Sequence, residues 1–128
     1  MDDKELYRAA RKAAENAYAP YSGFKVGAAL LTSGGKVFCG VNVENSSYGA
    51  TICAERAAIV KAVSEGRRDF ARIAVASIDG GAWPCGICRQ FMYEFGEDMT
   101  VITGDGEDSL EAYPLKELLA KGFKLERE

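Results

Sequence analysis

Apolar residues near the start of the chain recur at the spacing of one helix face. They are Leu6, Ala10, Ala13, Ala14 and Ala17. Asp2 or Asp3 can cap this predicted helix, because a short acidic side chain accepts hydrogen bonds from free backbone N–H groups. The run Ala-Pro-Tyr-Ser-Gly at 19–23 then breaks the pattern.

A strand pattern follows the break. Residues 24–31 are apolar at almost every position, which predicts a strand buried on both faces, and Ser-Gly-Gly at 33–35 predicts a turn. Residues 36–44 alternate and complete an antiparallel hairpin. Because strand side chains alternate between faces, Phe38, Gly40, Asn42 and Glu44 are expected on one face, and Val37, Cys39, Val41 and Val43 on the other.

Helices and strands alternate through the rest of the chain. We predict a helix over 53–64, a strand over 72–78, a helix opened by Pro84, a strand over 99–103, a weaker strand within 108–113 and a short helix from Pro114. The buried side of the second of these helices is predicted to hold Ile87, Cys88, Phe91, Met92 and Phe95. Two strands joined by one helix imply a parallel pair with a right-handed crossover. The predicted fold is α/β: a three-layer α/β/α sandwich with a mixed sheet of about five strands, forming a single domain over 1–128.

Composition narrows the classes of function. The chain has 128 residues, 48% of them hydrophobic and 27% charged, and a net charge of -3. No basic run is present, which argues against nucleic-acid binding. No apolar stretch approaches a membrane span, and the charged N-terminal segment lacks a leader pattern, so we expect a cytoplasmic protein without membrane contact. The sequence has no histidine, which excludes His-dependent triads and His-ligated metal sites.

Three cysteines suggest a metal site. Cys53 lies at the start of one predicted helix, and Cys85 and Cys88 lie in the first turn of another. Free N–H groups and the helix dipole favour thiolates at such positions. Two facing helix ends could hold three thiolates around one zinc ion, leaving the fourth tetrahedral position open for a water of lowered pKa. Glu55 would lie close to the metal without binding it, and Arg56 could donate hydrogen bonds to the sulfurs.

Other interpretations of these cysteines remain open at this point. Cys85 and Cys88 could form a redox dithiol, although that leaves the Cys-Ala-Glu run at 53–55 unexplained. A structural zinc site would need a fourth ligand, and the remaining cysteine is Cys39. Because Cys39 lies between Val37 and Val41 on the predicted strand face, we interpret it as a buried core thiol.

The cysteine motifs also carry a resemblance. Cys-Ala-Glu followed by Pro-Cys-x-x-Cys is the zinc deaminase signature, and the chain from about residue 19 to 123 resembles the small three-cysteine cytidine deaminases. The matching runs are Tyr-Ser-Gly-Phe-Lys-Val-Gly-Ala-Ala-Leu at 21–30, Asn-Val-Glu-Asn at 42–45, Cys-Ala-Glu-Arg at 53–56, Pro-Cys-Gly-Ile-Cys-Arg-Gln at 84–90 and Leu-Lys-Glu-Leu-Leu at 115–119.

The resemblance implies an activity and roles for individual residues. It implies one Zn²⁺ per chain and hydrolytic deamination of cytidine and deoxycytidine in pyrimidine salvage, with Glu55 transferring protons between water, ring nitrogen N3 and the departing amino group. It further implies a homotetramer with shared active sites. The implied substrate-binding residues are Ala54, Phe24 in the base pocket, Asn42 and Glu44 at the ribose, and Tyr48 and Phe123 supplied by neighbouring subunits.

Two alternative functions stay open on the sequence. The substrate could be a modified cytosine nucleoside such as blasticidin S, although the Asn-Val-Glu-Asn run at 42–45 favours plain nucleosides. The chain could also be a non-catalytic zinc-binding module. An enzyme that edits RNA or DNA is disfavoured, because such an enzyme needs a basic groove and this chain is acidic.

Overall fold

The computed structural model describes residues 1–126 and forms one mixed sheet of six strands across them. The strands are β1 Val26–Thr32, β2 Val37–Val41, β3 Phe70–Ser77, β4 Gly80–Gly81, β5 Thr100–Gly104 and β6 Leu110–Pro114. The helices are α1 Asp3–Ala14, α2 Ala54–Ser64, α3 Gly86–Tyr93 and α4 Leu115–Leu118, with a turn of 3-10 helix at Tyr48–Ala50.

The strand order is β2-β1-β3-β5-β6, and β4 pairs with β3 outside this path. The β1–β2 pair is an antiparallel hairpin, β1 is also antiparallel to β3, and β5 is antiparallel to β6. The central β3–β5 pair is parallel, as the intervening helix requires. These pairings confirm the predicted mixed α/β sheet. The sixth strand is the two-residue β4, which lies between the predicted strand over 72–78 and the helix predicted from Pro84.

The two faces of the sheet bury separate hydrophobic cores because side chains alternate along each strand. On one face α1 covers a cluster of Leu6, Tyr7, Ala10, Ala29, Leu31, Ala74, Ala76 and Ile102. The other face packs against α2, α3 and α4, and its largest buried residues include Leu30, Ile59, Ile73, Met92, Val101 and Leu115. The sheet therefore lies between helical layers, as predicted.

Two strand glycines allow the helices to approach the sheet closely. A Cβ atom built on Gly27 would lie 2.0 Å from the backbone oxygen of Ala10 in α1. On the other face, a Cβ atom on Gly40 would lie 2.4 Å from the backbone nitrogen of Ala58 in α2. Any side chain at either position would force a helix away from the sheet.

The first helix begins as predicted and ends earlier. Asp2 caps it in a reciprocal capping box with Glu5, which satisfies two free N–H groups. The helix ends at Ala14, and the chain continues to Ala17 in turns. Ala13 is only half-buried. Tyr7 is buried instead, and its hydroxyl donates to the carbonyl of Gly104 at 2.8 Å.

Three other expectations need correction. Strand β2 ends at Val41, because beyond it Val43 forms isolated bridges with Tyr18 and Ile52 instead of continuing the hairpin. Ile87 is 68% exposed, since it lies in the first turn of α3 on the side away from the core. Cys39 is half-buried rather than fully buried, because β2 is an edge strand. Within residues 1–126, no helix is both long and apolar enough to cross a membrane.

Candidate active site

Three thiols meet where two helices begin. Cys53 is the N-cap of α2, Cys85 is the N-cap of α3, and Cys88 lies in the first turn of α3. Their sulfur atoms all lie within 4.8 Å of one another. Cys88 is fully buried, Cys53 is half-buried and Cys85 is exposed. The structure thus brings together the three cysteines that the sequence analysis selected as metal ligands.

The donor set fits zinc. Tetrahedral zinc–thiolate bonds of about 2.3 Å place sulfur ligands about 3.8 Å apart, so these three sulfurs could close around one ion with small side-chain adjustments. Each helix N-terminus contributes positive potential, which offsets part of the charge of three thiolates. Cys39 is not a member of this cluster, so the fourth position is left to a ligand other than cysteine.

Arg56 connects the thiols to the preceding loop. Its Nη2 donates to Cys53 Sγ at 3.5 Å and to the carbonyl of Thr51 at 3.2 Å. A hydrogen bond from Cys88, opposed by burial and assisted by Arg56, lowers the pKa of Cys53 to about 5. The same Cys88–Cys53 hydrogen bond, together with burial, raises the pKa of Cys88. Among residues 1–126, Arg56 Nε is the one buried side-chain nitrogen or oxygen without a hydrogen-bond partner.

Glu55 is a buried carboxyl group beside the thiols. Its exposed fraction is only 4%, and burial raises its pKa above the ordinary glutamate value. Its own backbone N–H and the Cys88 thiol act in the opposite direction by donating to the carboxylate. A carboxyl group with a raised pKa is suited to gain and lose a proton during a reaction near neutral pH.

A single pocket contains Glu55 and two of the three thiols. Its lining residues are Phe24, Val26, Asn42, Thr51, Cys53, Ala54, Glu55, Val75, Ala82, Trp83 and Cys85. The apolar residues can contact a flat ring, and Glu55 lies in the first turn of α2, close to Cys53 at the N-cap of the same helix. Of the predicted substrate residues, Phe24, Asn42 and Ala54 therefore line the same pocket as Glu55.

Asn42 is held in place by the start of β1. Its Oδ1 accepts from the N–H of Val26, and its Nδ2 donates to the carbonyl of Phe24, both at 2.9 Å. These bonds fix the amide in one orientation. Each of the two amide atoms retains capacity for one more hydrogen bond, so Asn42 can also bind a ligand.

Glu44 and Tyr48 line a neighbouring groove rather than the pocket that contains Glu55. The groove is formed by Tyr21, Ser22, Glu44, Asn45, Tyr48 and Thr51, and Thr51 lines both depressions. The Ser22 hydroxyl donates to Glu44 at 2.5 Å and lowers its pKa, helped by the N–H groups of Ser22 and Tyr21. Tyr48 is 79% exposed. The predicted Asn42–Glu44 pair is therefore divided between two adjoining depressions.

Phe123 lies outside both depressions of its own chain. Its carbonyl accepts from Gln90 Nε2 at 2.7 Å, which anchors the segment against α3, and its side chain is 63% exposed. Five pocket residues were not among the predicted substrate contacts: Val26, Thr51, Val75, Ala82 and Trp83. Val75 could have been predicted from the sequence, because it lies near the carboxyl end of a predicted parallel strand, where α/β sheets form their binding crevices.

The fold and the site define an α/β protein with three thiols able to hold a metal ion and a buried carboxyl group beside them. The family model for the cytidine and deoxycytidylate deaminase zinc-binding region matches residues 1–104. The chain belongs to this family of deaminase enzymes, and zinc is its cofactor.

Similar proteins span the whole chain. A cytidine deaminase of Halalkalibacterium halodurans is 48% identical over 128 aligned residues, covering 98% of this chain and 97% of the relative. A probable cytidine deaminase of Dictyostelium discoideum is 46% identical over 142 aligned residues, covering 100% of this chain and 97% of the relative. The crystal structure of cytidine deaminase from Burkholderia pseudomallei superimposes with a TM-score of 0.90 at 46% identity, covering 96% of this chain and 100% of that one.

Proposed function

We propose that the protein hydrolyses cytidine and deoxycytidine to uridine and deoxyuridine with release of ammonia, as a step of pyrimidine salvage. The observation that carries the proposal is the buried Glu55 carboxyl group in one pocket with the thiol cluster. The full-length similarity to proteins named cytidine deaminase supports the same substrate class. We further propose that residues 1–128 act as one catalytic domain.

Cys53, Cys85 and Cys88 would hold the zinc ion. When bound, zinc supplies a water molecule whose pKa is lowered far enough for it to act as a nucleophile near neutral pH. The chain's own contribution is to keep three sulfurs at two helix ends and to hold Arg56 against Cys53 Sγ. That hydrogen bond draws electron density from the sulfur and fixes the ligand's orientation.

Glu55 would move the protons. Its carboxylate takes a proton from the attacking water and passes it to N3 of the cytosine ring, as the water oxygen bonds to C4. The remaining hydroxyl proton then travels through Glu55 to the amino group, the C4–N bond breaks, and ammonia leaves. The raised pKa of Glu55, caused chiefly by burial, matches both halves of this exchange.

We propose that the substrate ring lies against Phe24 and Ala54, with Asn42 at the edge that leads to the ribose. Asn42 retains one donor and one acceptor position after its two backbone bonds. Glu44 would bind a ribose hydroxyl from the adjoining groove, which Thr51 joins to the pocket. A nucleoside that extends from one depression into the other would reach both side chains.

We propose that the enzyme is a cytoplasmic homotetramer with shared active sites. Tyr48 and Phe123 would each enter a neighbouring subunit's site, which agrees with their high exposure on the isolated chain. The cytoplasm keeps thiols reduced, as three cysteine ligands require. Light scattering would give the subunit number. Phe123→Ala is expected to raise KM if the ring completes a neighbouring site, and an unchanged KM would exclude that contact.

The proposal is tested by following cytosine absorbance and ammonia release with purified protein. Cytidine and deoxycytidine should both be converted, and a zinc chelator should abolish turnover. One zinc per chain without ammonia from either nucleoside would favour a non-catalytic zinc module. Turnover of blasticidin S alone would favour a modified nucleoside.

The role of Glu55 is tested separately. Glu55→Gln should lower kcat on the order of 10²- to 10⁴-fold, because the amide cannot exchange protons, while bound zinc stays at one per chain. Glu65→Gln is the matched control, since Glu65 lies just beyond the other end of the same helix and far from the thiols in sequence. A Glu55→Gln protein with its zinc and full turnover would eliminate this role.

A further inference from the structure

The two central parallel strands separate beside the pocket. Their ladder runs from Arg72 opposite Thr100 to Ala74 opposite Ile102. The next positions, Val75 and Thr103, are not paired with each other, and on this side β3 pairs with β4 from Ala76 onward. A crevice at the carboxyl ends of diverging strands is where α/β sheets bind ligands, and Val75 lines the pocket here.

The side chain of Thr103 bridges this separation. Its hydroxyl donates to the carbonyl of Val75 at 2.7 Å and accepts from the N–H of Ala82 at 3.0 Å. Thr103 is fully buried, so water does not reach its hydroxyl. Both partners line the pocket, which means that one buried hydroxyl fixes the backbone of two residues of the pocket wall.

The loop held by Thr103 leads directly into the metal site. Ala82 is followed by Trp83 and Pro84, and then by the ligand Cys85. The loop has little free space, because a Cβ atom built on Gly81 would lie 2.5 Å from the carbonyl oxygen of Gly104. A displacement of Ala82 would therefore also displace the residues that follow it, up to the ligand Cys85.

We propose that Thr103 is a positioning residue that sets the shape of the Val75–Ala82 pocket wall and so the placement of the substrate ring. It does not touch the substrate and acts through the backbone of those two residues. The expected effect of Thr103 on substrate binding rests on the proposed deamination. The expected effect of Thr103 on the pocket wall does not. Removing the hydroxyl leaves the part-buried N–H of Ala82 without this partner, which favours a displaced loop.

Three variants separate this role from general stability. Thr103→Val keeps the shape and removes the hydroxyl, and Thr103→Ser restores the hydroxyl without the methyl group. Thr32→Val is the matched control, because Thr32 is also buried and its hydroxyl accepts from the N–H of Lys36 in the β1–β2 turn. Should Thr103→Val fail to fold, Thr103→Ala removes the same hydroxyl with less side-chain bulk to accommodate.

Two measurements give the outcome. The chain has one tryptophan, Trp83, so acrylamide quenching of its fluorescence, measured without substrate, reports the loop position independently of activity. Thr103→Val should be quenched more readily than wild type and should raise KM for cytidine on the order of tenfold. Thr103→Ser and Thr32→Val should resemble wild type in both measurements, even where their melting temperatures fall.

The results distinguish the possible failures. Quenching and KM unchanged in Thr103→Val, or shifted equally by Thr32→Val, would overturn the positioning role. A wild-type protein that binds zinc and releases no ammonia would instead refute the proposed deamination. In that case the comparison of Trp83 quenching among the variants still decides whether Thr103 fixes the wall.

Discussion

Replacing Gly40 by alanine should disturb the active site by displacing α2, which packs against Gly40. Gly40 lies in β2 under α2, and the new Cβ atom would lie 2.4 Å from Ala58 N and 2.6 Å from the carbonyl oxygen of Ala54. Ordinary contact begins near 3.4 Å, so the helix must retreat by about 1 Å, because a packed interior cannot absorb the overlap. The retreat moves the helix end that carries Cys53 and Glu55.

The cost can be estimated from that displacement. Overpacking of a core interface destabilises by about 1–3 kcal/mol. At about 2.1 cal/mol/K per residue, the unfolding entropy of the chain of 128 residues is about 0.27 kcal/mol/K. Dividing the loss of stability by this entropy predicts that Tm falls by roughly 4–11 °C. A displacement of about 1 Å at a catalytic group can reduce the rate on the order of 100-fold.

The assay compares three alanine variants by calorimetry, zinc content and deamination rate well below Tm. Gly27→Ala forces α1 from the opposite face of the sheet, so it should lower Tm and leave KM and kcat of the folded protein near wild type. Gly106→Ala meets no atom within 4 Å and should change neither. Full activity and an unchanged Tm in Gly40→Ala would refute the reasoning, as would equal loss of activity in Gly27→Ala.

Three further changes have expected outcomes. Arg56→Ala should lower kcat about 10-fold or more with zinc retained, because Cys53 loses a hydrogen bond, and kinetics equal to wild type would dismiss that role. Asp2→Ala should lower Tm by about 2–7 °C through loss of about 0.5–2 kcal/mol of capping, whereas Asp2→Asn should keep most of it. Ser22→Ala should lower Tm near neutral pH. The Ser22 hydroxyl lowers the folded pKa of Glu44, so its stabilisation is present above the unfolded pKa of about 4.3 and disappears as pH falls through the folded value. A difference in Tm that persists at acid pH would contradict this assignment.

The arrangement of the thiols was predictable because local rules place each of them. Cys53 and Cys85 precede helices whose starts are visible in the sequence, and Cys88 follows Cys85 by one helical turn. The hairpin was predictable for the same reason, since Gly35 adopts φ 92° in the turn between two apolar runs. Each of these features depends on residues that are close in sequence.

Features that depend on distant residues were not predictable. Alternation placed Asn42 and Glu44 on one face, but the carbonyl of Asn42 accepts from Tyr18, and the N–H of Val26 donates to the Asn42 side chain instead of to that carbonyl. The strand therefore ends, and the two side chains enter different depressions. Thr103 resembles any buried strand residue in the sequence, because its partners lie 21 and 28 positions away.

The two helices that carry the sulfurs belong to one continuous core. Ile59 of α2 and Met92 of α3 are both fully buried against the same face of the sheet. This shared apolar packing supports both helix ends. The ion consequently encounters ligands that are already organised, and little of its affinity is lost to ordering the chain. We expect such a protein to release its ion to a chelator and to bind zinc again without refolding, unlike zinc fingers, which fold only around their metal.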